Sequence, residues 1–159
     1  MFRPRSWVNS CSLDGGACRV GLESTVVSLL AEPRYLRPGM VTRAEIEAVI
    51  GPLAADKAEG HRSPGRLSLH YAPDAPVRIN VVEPSREGVY LAFGPMAYDG
   101  RLIQLSARAD AAEAAARLFS ALREADRMRP AVIEVAPIPD TGIGEAITDR
   151  LRRAAGFVG

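Results

Sequence analysis

Cysteine is scarce in this sequence, with Cys11 and Cys18 the only two in 159 residues. A disulfide framework or a four-ligand zinc site needs more donors than these two and the distant His61 and His70 supply. Free thiols in a reducing compartment are therefore expected. Lysine is scarcer still: Lys57 stands alone, so arginine carries the positive charge, and a formal net charge of +1 gives no electrostatic footprint of a nucleic-acid binder. Long apolar runs are also missing. Residues 1–12, MFRPRSWVNSCS, hold no stretch of the roughly 7–15 apolar residues a signal peptide needs, and nowhere do the roughly 18 of a membrane span occur. A cytoplasmic protein without membrane contact is expected.

What is present is enough for one domain or two small ones, since 47% of the residues are hydrophobic. Residues 1–12 show no periodicity and read as a lead-in. Residues 24–30, STVVSLL, read as a strand, Glu32 and Pro33 as a turn, and residues 35–37 as a second short strand. Thr42 and Glu45 have capping-box spacing ahead of a helix with Ile46, Val49 and Ile50 on one face, stopped by Gly51 and Pro52. The composition then turns polar, and residues 53–62 read as a linker. Three prolines keep residues 63–76 extended.

The remainder reads as a small α/β unit. Strands are expected at 77–82, 89–93 and 102–105. Asp110 and Glu113 open a helix whose buried stripe is expected at Ala112, Ala115, Ala116, Phe119 and Leu122. A strand at 131–136 ends before Pro137 and Pro139, and a last helix buries Ile147, Leu151 and Ala154 and stops at Gly156. Strands separated by helices predict a parallel, Rossmann-like sheet.

Several side chains here suit a binding site. Ser24 and Thr25 can point hydroxyls at a small polar ligand, although a half-buried strand also accommodates both. Arg37, just before Pro38 and Gly39, offers a planar donor fork to a phosphate, or else a surface pair to Glu32. His70 and Tyr71 sit in a proline-bounded segment and either staple the linker or touch a ligand. Gly142 and Gly144 precede a helix, but two glycines fall short of a dinucleotide fingerprint, and a plain strand-to-helix turn explains them.

Residues 13–39 contain DGG, GLESTVVS and LRPG in order, and this stretch resembles the end of the catalytic domain of the threonylcarbamoyl-AMP synthase family. The usual GxESTVVD is altered by Ser28. SPGR at 63–66 with HYAP at 70–73 resembles the linker of the long, YrdC-like two-domain form, with Arg66 in place of a methionine. GIGEAITDRLRRAA at 142–155 resembles the signature of the family's second domain. The resemblance implies a remnant of an α/β YrdC-like catalytic domain at 13–52, a linker at 53–76 and a small Rossmann-like α/β domain at 77–159.

It also implies an L-threonylcarbamoyladenylate synthase acting on ATP, L-threonine and bicarbonate, with magnesium accompanying the nucleotide. The product would serve transfer RNA modification through partner proteins. By the same resemblance Ser24 and Thr25 contact L-threonine, and Arg37, Tyr71 and His70 contact ATP. No residue is assigned a covalent catalytic or metal-ligating role. The family's lysine–arginine nucleotide grip and Ser-Ala-Asn loop, which precede DGG, do not occur in this sequence. The expectation is the terminal portion of a longer enzyme, inactive alone. The alternative is a non-catalytic nucleotide- or protein-binding regulatory module.

Overall fold

The computed structural model describes residues 20–30, 32–54 and 72–156. Cys11, Cys18, DGG, His70, Tyr71 and the SPGR segment lie outside the described residues.

The first part of the chain is a strand–strand–helix unit. Strand β1 (Val26–Ser28) pairs antiparallel with β2 (Arg34–Arg37), and the register slips between Val26, opposite Arg37, and Val27, opposite Tyr35. The expected strand at 24–30 is thus cut to three residues. The chain turns away where the Leu30 N–H reaches back to the Ser28 hydroxyl, leaving Leu29 and Leu30 exposed.

Helix α1 (Arg43–Ile50) starts as the sequence predicts, because the Thr42 hydroxyl accepts the Glu45 N–H while the Glu45 carboxylate accepts the Thr42 N–H. Its apolar face is not covered by the described residues: Ile46 is half-buried, and Val49 and Ile50 are exposed. Leu53 and Ala54, read above as the start of a linker, belong to this unit. Leu53 is buried, its N–H and carbonyl are held by Glu47 and Arg43, and Ala54 bridges to Arg34.

The second part is built on four strands, β3 (Val77–Arg78), β4 (Val89–Phe93), β5 (Arg101–Ser106) and β6 (Ile133–Val135), in the order β3-β6-β4-β5. Every pairing is parallel, as the strand–helix alternation predicts. Strand β3 is shorter than expected because Asn80 takes a positive φ of 59° and turns the chain, leaving Val82 exposed.

Helices α2 (Ala111–Arg127) and α3 (Ile143–Ala154) pack on each other and close the core over Leu91, Leu105, Ile133 and Val135. The stripe of α2 is Ala114, Ala115, Leu118, Ala121, Leu122 and Ala125, whereas Ala112 and Ala116 are exposed and Phe119 is only partly buried. In a run of alanines the pattern has no size contrast. The large Leu118 fixes which face turns inward, one residue round from the expected stripe. On α3 Ile147 and Leu151 are buried as expected, Ala154 is half-buried, and Gly156 follows the helix at φ 79°.

The two parts are not separate in the core. Leu22 is 3% exposed and packs in the same apolar cluster as Val77, Leu91 and Ile147. Gly21 lies against the backbone of Ala115 and Ala116.

Candidate functional site

The antiparallel pair brings the two sequence motifs face to face. Val26 stands opposite Arg37, so Ser24 and Thr25 run beside Pro38 and Gly39. The approach is close enough to require glycine: a Cβ on residue 39 would lie 2.5 Å from both the Ser24 carbonyl carbon and the Thr25 nitrogen.

The Thr25 hydroxyl donates to the Val41 carbonyl at 2.7 Å, which ties the start of β1 to the entry of α1. Its proton is therefore used internally, and only its lone pairs remain to accept a further hydrogen bond. Ser24 is exposed beside it, and its hydroxyl makes no hydrogen bond among the described residues. Arg37 is half-buried. The carboxylate partner proposed for it from the sequence pairs elsewhere, as Glu32 lies 3.9 Å from Arg34. Ser24, Thr25 and Arg37 are therefore gathered at one edge, while the positions of Tyr71 and His70 fall outside the described residues.

A second set of groups reaches this edge from α3. Arg150 donates through Nη2 to the Pro38 carbonyl at 3.1 Å, across 112 residues of sequence. Its Nη1 is ion-paired with Asp149, which also accepts two hydrogen bonds from Arg153, at 3.0 Å from Nε and 2.9 Å from Nη2. Burial lowers the Arg150 pKa, the Asp149 carboxylate opposes the shift, and the positive charges of Arg37 and Arg153 add to it. Arg37 and Arg150 thus lie within each other's field.

Below them Tyr35 is buried, with the Arg43 guanidinium 4.7 Å from its ring centroid. Burial and the nearby Glu145 carboxylate raise the Tyr35 pKa, against a backbone hydrogen bond from Gly39 and the charges of Arg43 and Arg150. Burial also raises the pKa of Glu145, with Arg43 opposing and Asp140 and Asp149 adding. Sequence reasoning missed Arg150, Asp149, Glu145 and Tyr35. The i,i+4 spacing of Asp149 and Arg153 was a visible signal of a helix pair, but nothing local pointed it toward Pro38.

Among the described residues no group of three or more His, Cys, Asp or Glu side chains is placed to hold a metal ion. No helix among the described residues is long and apolar enough to cross a membrane.

A parallel sheet with helices packed on it, and a two-stranded unit whose Pro38 carbonyl is held from α3, define a mixed α/β protein. Residues 41–156 match the family described as threonylcarbamoyl-AMP synthase, C-terminal domain, and the chain belongs to this family.

It is 37% identical to the threonylcarbamoyl-AMP synthase of Bacillus subtilis, over 91% of this chain and 48% of that protein. It is 35% identical to that of Pyrococcus abyssi, over 92% of this chain and 49% of the relative. The chain spans about half the length of these curated relatives. Among solved structures, P. abyssi Sua5 complexed with L-threonine superposes with a TM-score of 0.78 at 34% identity, covering 91% of this chain and 49% of that one.

Proposed function

We propose that this chain carries one wall of an L-threonylcarbamoyladenylate synthase site, with the family's second domain behind it. The observation that carries the reading is the packing of Gly39 on the Ser24–Thr25 peptide, which sets a hydroxyl pair and a guanidinium at one edge. Relatives bearing the synthase name, and a solved relative holding L-threonine, support it.

In this reading the amine of L-threonine forms a C–N bond to the carbon of bicarbonate, a C–O bond breaks, and a carbamate results with loss of water. A carbamate oxygen attacks the α-phosphorus of ATP, the bond to the β-phosphate oxygen breaks, and pyrophosphate leaves. Ser24 orients L-threonine through its exposed hydroxyl, with the Thr25 oxygen beside it. Arg37 meets the phosphates as a charge-assisted donor, and Tyr71 and His70 supply further contacts to ATP. Any magnesium ion would arrive on the phosphates of ATP. Such chemistry rests on positioning and charge stabilisation, which suits a site of arginines and small hydroxyls. The product would pass its threonylcarbamoyl group to transfer RNA through partner proteins.

Because the lysine–arginine grip and Ser-Ala-Asn loop do not occur in this sequence, the 159-residue chain alone is expected to release no pyrophosphate from ATP, L-threonine and bicarbonate. Calorimetric titration tests the binding roles. Arg37→Ala should weaken ATP binding by about 1.5–3 kcal/mol, roughly 10-fold to 150-fold, and leave L-threonine unchanged. Ser24→Ala should weaken L-threonine by about 0.5–1.5 kcal/mol and leave ATP unchanged. If neither variant changes either affinity, these residues are scaffolding and the reading fails.

A second reading, a non-catalytic regulatory module, is favoured by the family match lying on the C-terminal domain. Binding of a partner protein by the parent chain, with no affinity for ATP or L-threonine, would select it.

A further inference from the structure

The functional reading above uses nothing from α3, yet α3 holds the backbone of the nucleotide-facing turn. Arg37 is followed by Pro38, whose φ is fixed by its ring, and then by Gly39, whose Cα is wedged against Ser24 and Thr25. The carbonyl of Pro38 is the peptide oxygen between these two constraints, and Arg150 donates to it. Arg150 is itself held in place by its ion pair with Asp149, and Asp149 is fixed from its other side by Arg153. The side chains of Arg150, Asp149 and Arg153 are 14%, 20% and 21% exposed, so this is a packed chain of charges and not a surface pair.

Resting on the synthase reading, we propose that Arg150 is a positioning residue for ATP: it fixes the Arg37–Pro38–Gly39 turn from the second domain, so that the Arg37 guanidinium is pre-set for the phosphates. The argument is geometric. A planar guanidinium can donate to a carbonyl with one amino group while pairing a carboxylate with the other, and Arg150 does both. Without the tether the turn keeps its contacts with β1 and Tyr35 but loses its hold from α3. Coupling carried by such a packed network amounts to about 0.5–2 kcal/mol, or roughly 2-fold to 30-fold in affinity. The second domain thereby acts on ATP affinity without touching ATP.

The test is titration of the full 159-residue chain with ATP and, separately, with L-threonine, followed by the amide signals of Arg37 and Gly39 and the Nε–H signal of Arg37 in nitrogen-15 spectra. Arg150→Met is expected to weaken ATP about 3-fold to 10-fold, leave L-threonine unchanged and speed exchange of the Gly39 amide. Arg150→Lys, which can still donate to the Pro38 carbonyl, is expected to recover most of the ATP loss. Should Arg150→Met fail to fold, Asp149→Asn releases the same guanidinium and is expected to show the same split.

Unchanged ATP affinity in a folded variant, or equal losses for ATP and L-threonine, overturns the positioning role and leaves the synthase reading standing. A parent chain whose Arg37 and Gly39 signals do not respond to ATP overturns the assignment of Arg37 to ATP in this chain, and this inference with it.

Discussion

A methyl group on Gly39 would lie 2.6 Å from the carbonyl oxygen of Ser24. The atoms in the way are backbone, so neither side can yield by a rotamer change. Gly39→Ala is therefore expected to separate the two motifs, at a cost of about 1–3 kcal/mol in unfolding free energy. Urea unfolding measures the loss, and amide exchange should show it concentrated in β1 and β2. A midpoint equal to that of the parent would mean that the two backbones do not touch.

The glycines before α3 differ in kind, although the sequence presents them as a matched pair. A Cβ on Gly144 would lie 1.9 Å from the Pro139 carbonyl oxygen, whereas Gly142 has open space but a φ of +57°. Gly144→Ala should cost about 3 kcal/mol or more by forcing the first turn of α3 off the preceding loop. Gly142→Ala should cost about 1–3 kcal/mol from backbone strain alone. Guanidinium unfolding of the two variants gives the order, and a larger loss for Gly142→Ala would refute the packing argument.

The legible parts of this fold were those written in local rules. The Thr42–Glu45 cap, the strand at 89–93, the parallel sheet and the stop near Gly156 follow from spacing and turn residues, and the structure has them. The α2 stripe was misplaced because alanine carries little pattern information. Leu53, a leucine inside polar sequence, reads as linker, and its hydrogen bonds to Glu47 and Arg43 have no local sequence signal. Of the candidate site, Ser24, Thr25 and Arg37 were visible as residue types, and their pairing follows from the short hairpin. The arginine on α3 was not, since a contact spanning 112 residues leaves no mark in any local window.

Leu22 tests how far the two parts of the chain depend on each other. It lies in sequence beside the ESTV motif but in space within the core of the parallel sheet. Leu22→Ala should therefore destabilise the α2–α3 unit by about 2–5 kcal/mol, as expected for a fully buried leucine. Leu30→Ala, at a position 78% exposed, should stay within about 0.5 kcal/mol of the parent. Thermal unfolding followed at helix wavelengths separates them. Equal, small effects would restore the sequence-based division at the linker.

Glu145 gives a pH signature at the junction of the two parts. Its carboxyl faces Tyr35 and Arg43 from the first part and Asp140 and Asp149 from its own surroundings, and its pKa in the folded chain is raised, chiefly by burial. The sign follows from linkage. Below the ordinary glutamate range both folded and unfolded states hold the proton, and the residue has no effect on stability. As pH rises through that range the unfolded chain ionises first, so stability falls until the raised folded pKa is passed, and the penalty persists above it. Glu145→Gln removes the penalty. The variant should unfold at a higher temperature than the parent at about pH 7, with the gain shrinking to nothing by about pH 3.5. Paired melting curves across that window check it, and a variant less stable than the parent at neutral pH would mean that attraction to Arg43 outweighs the burial of the charge.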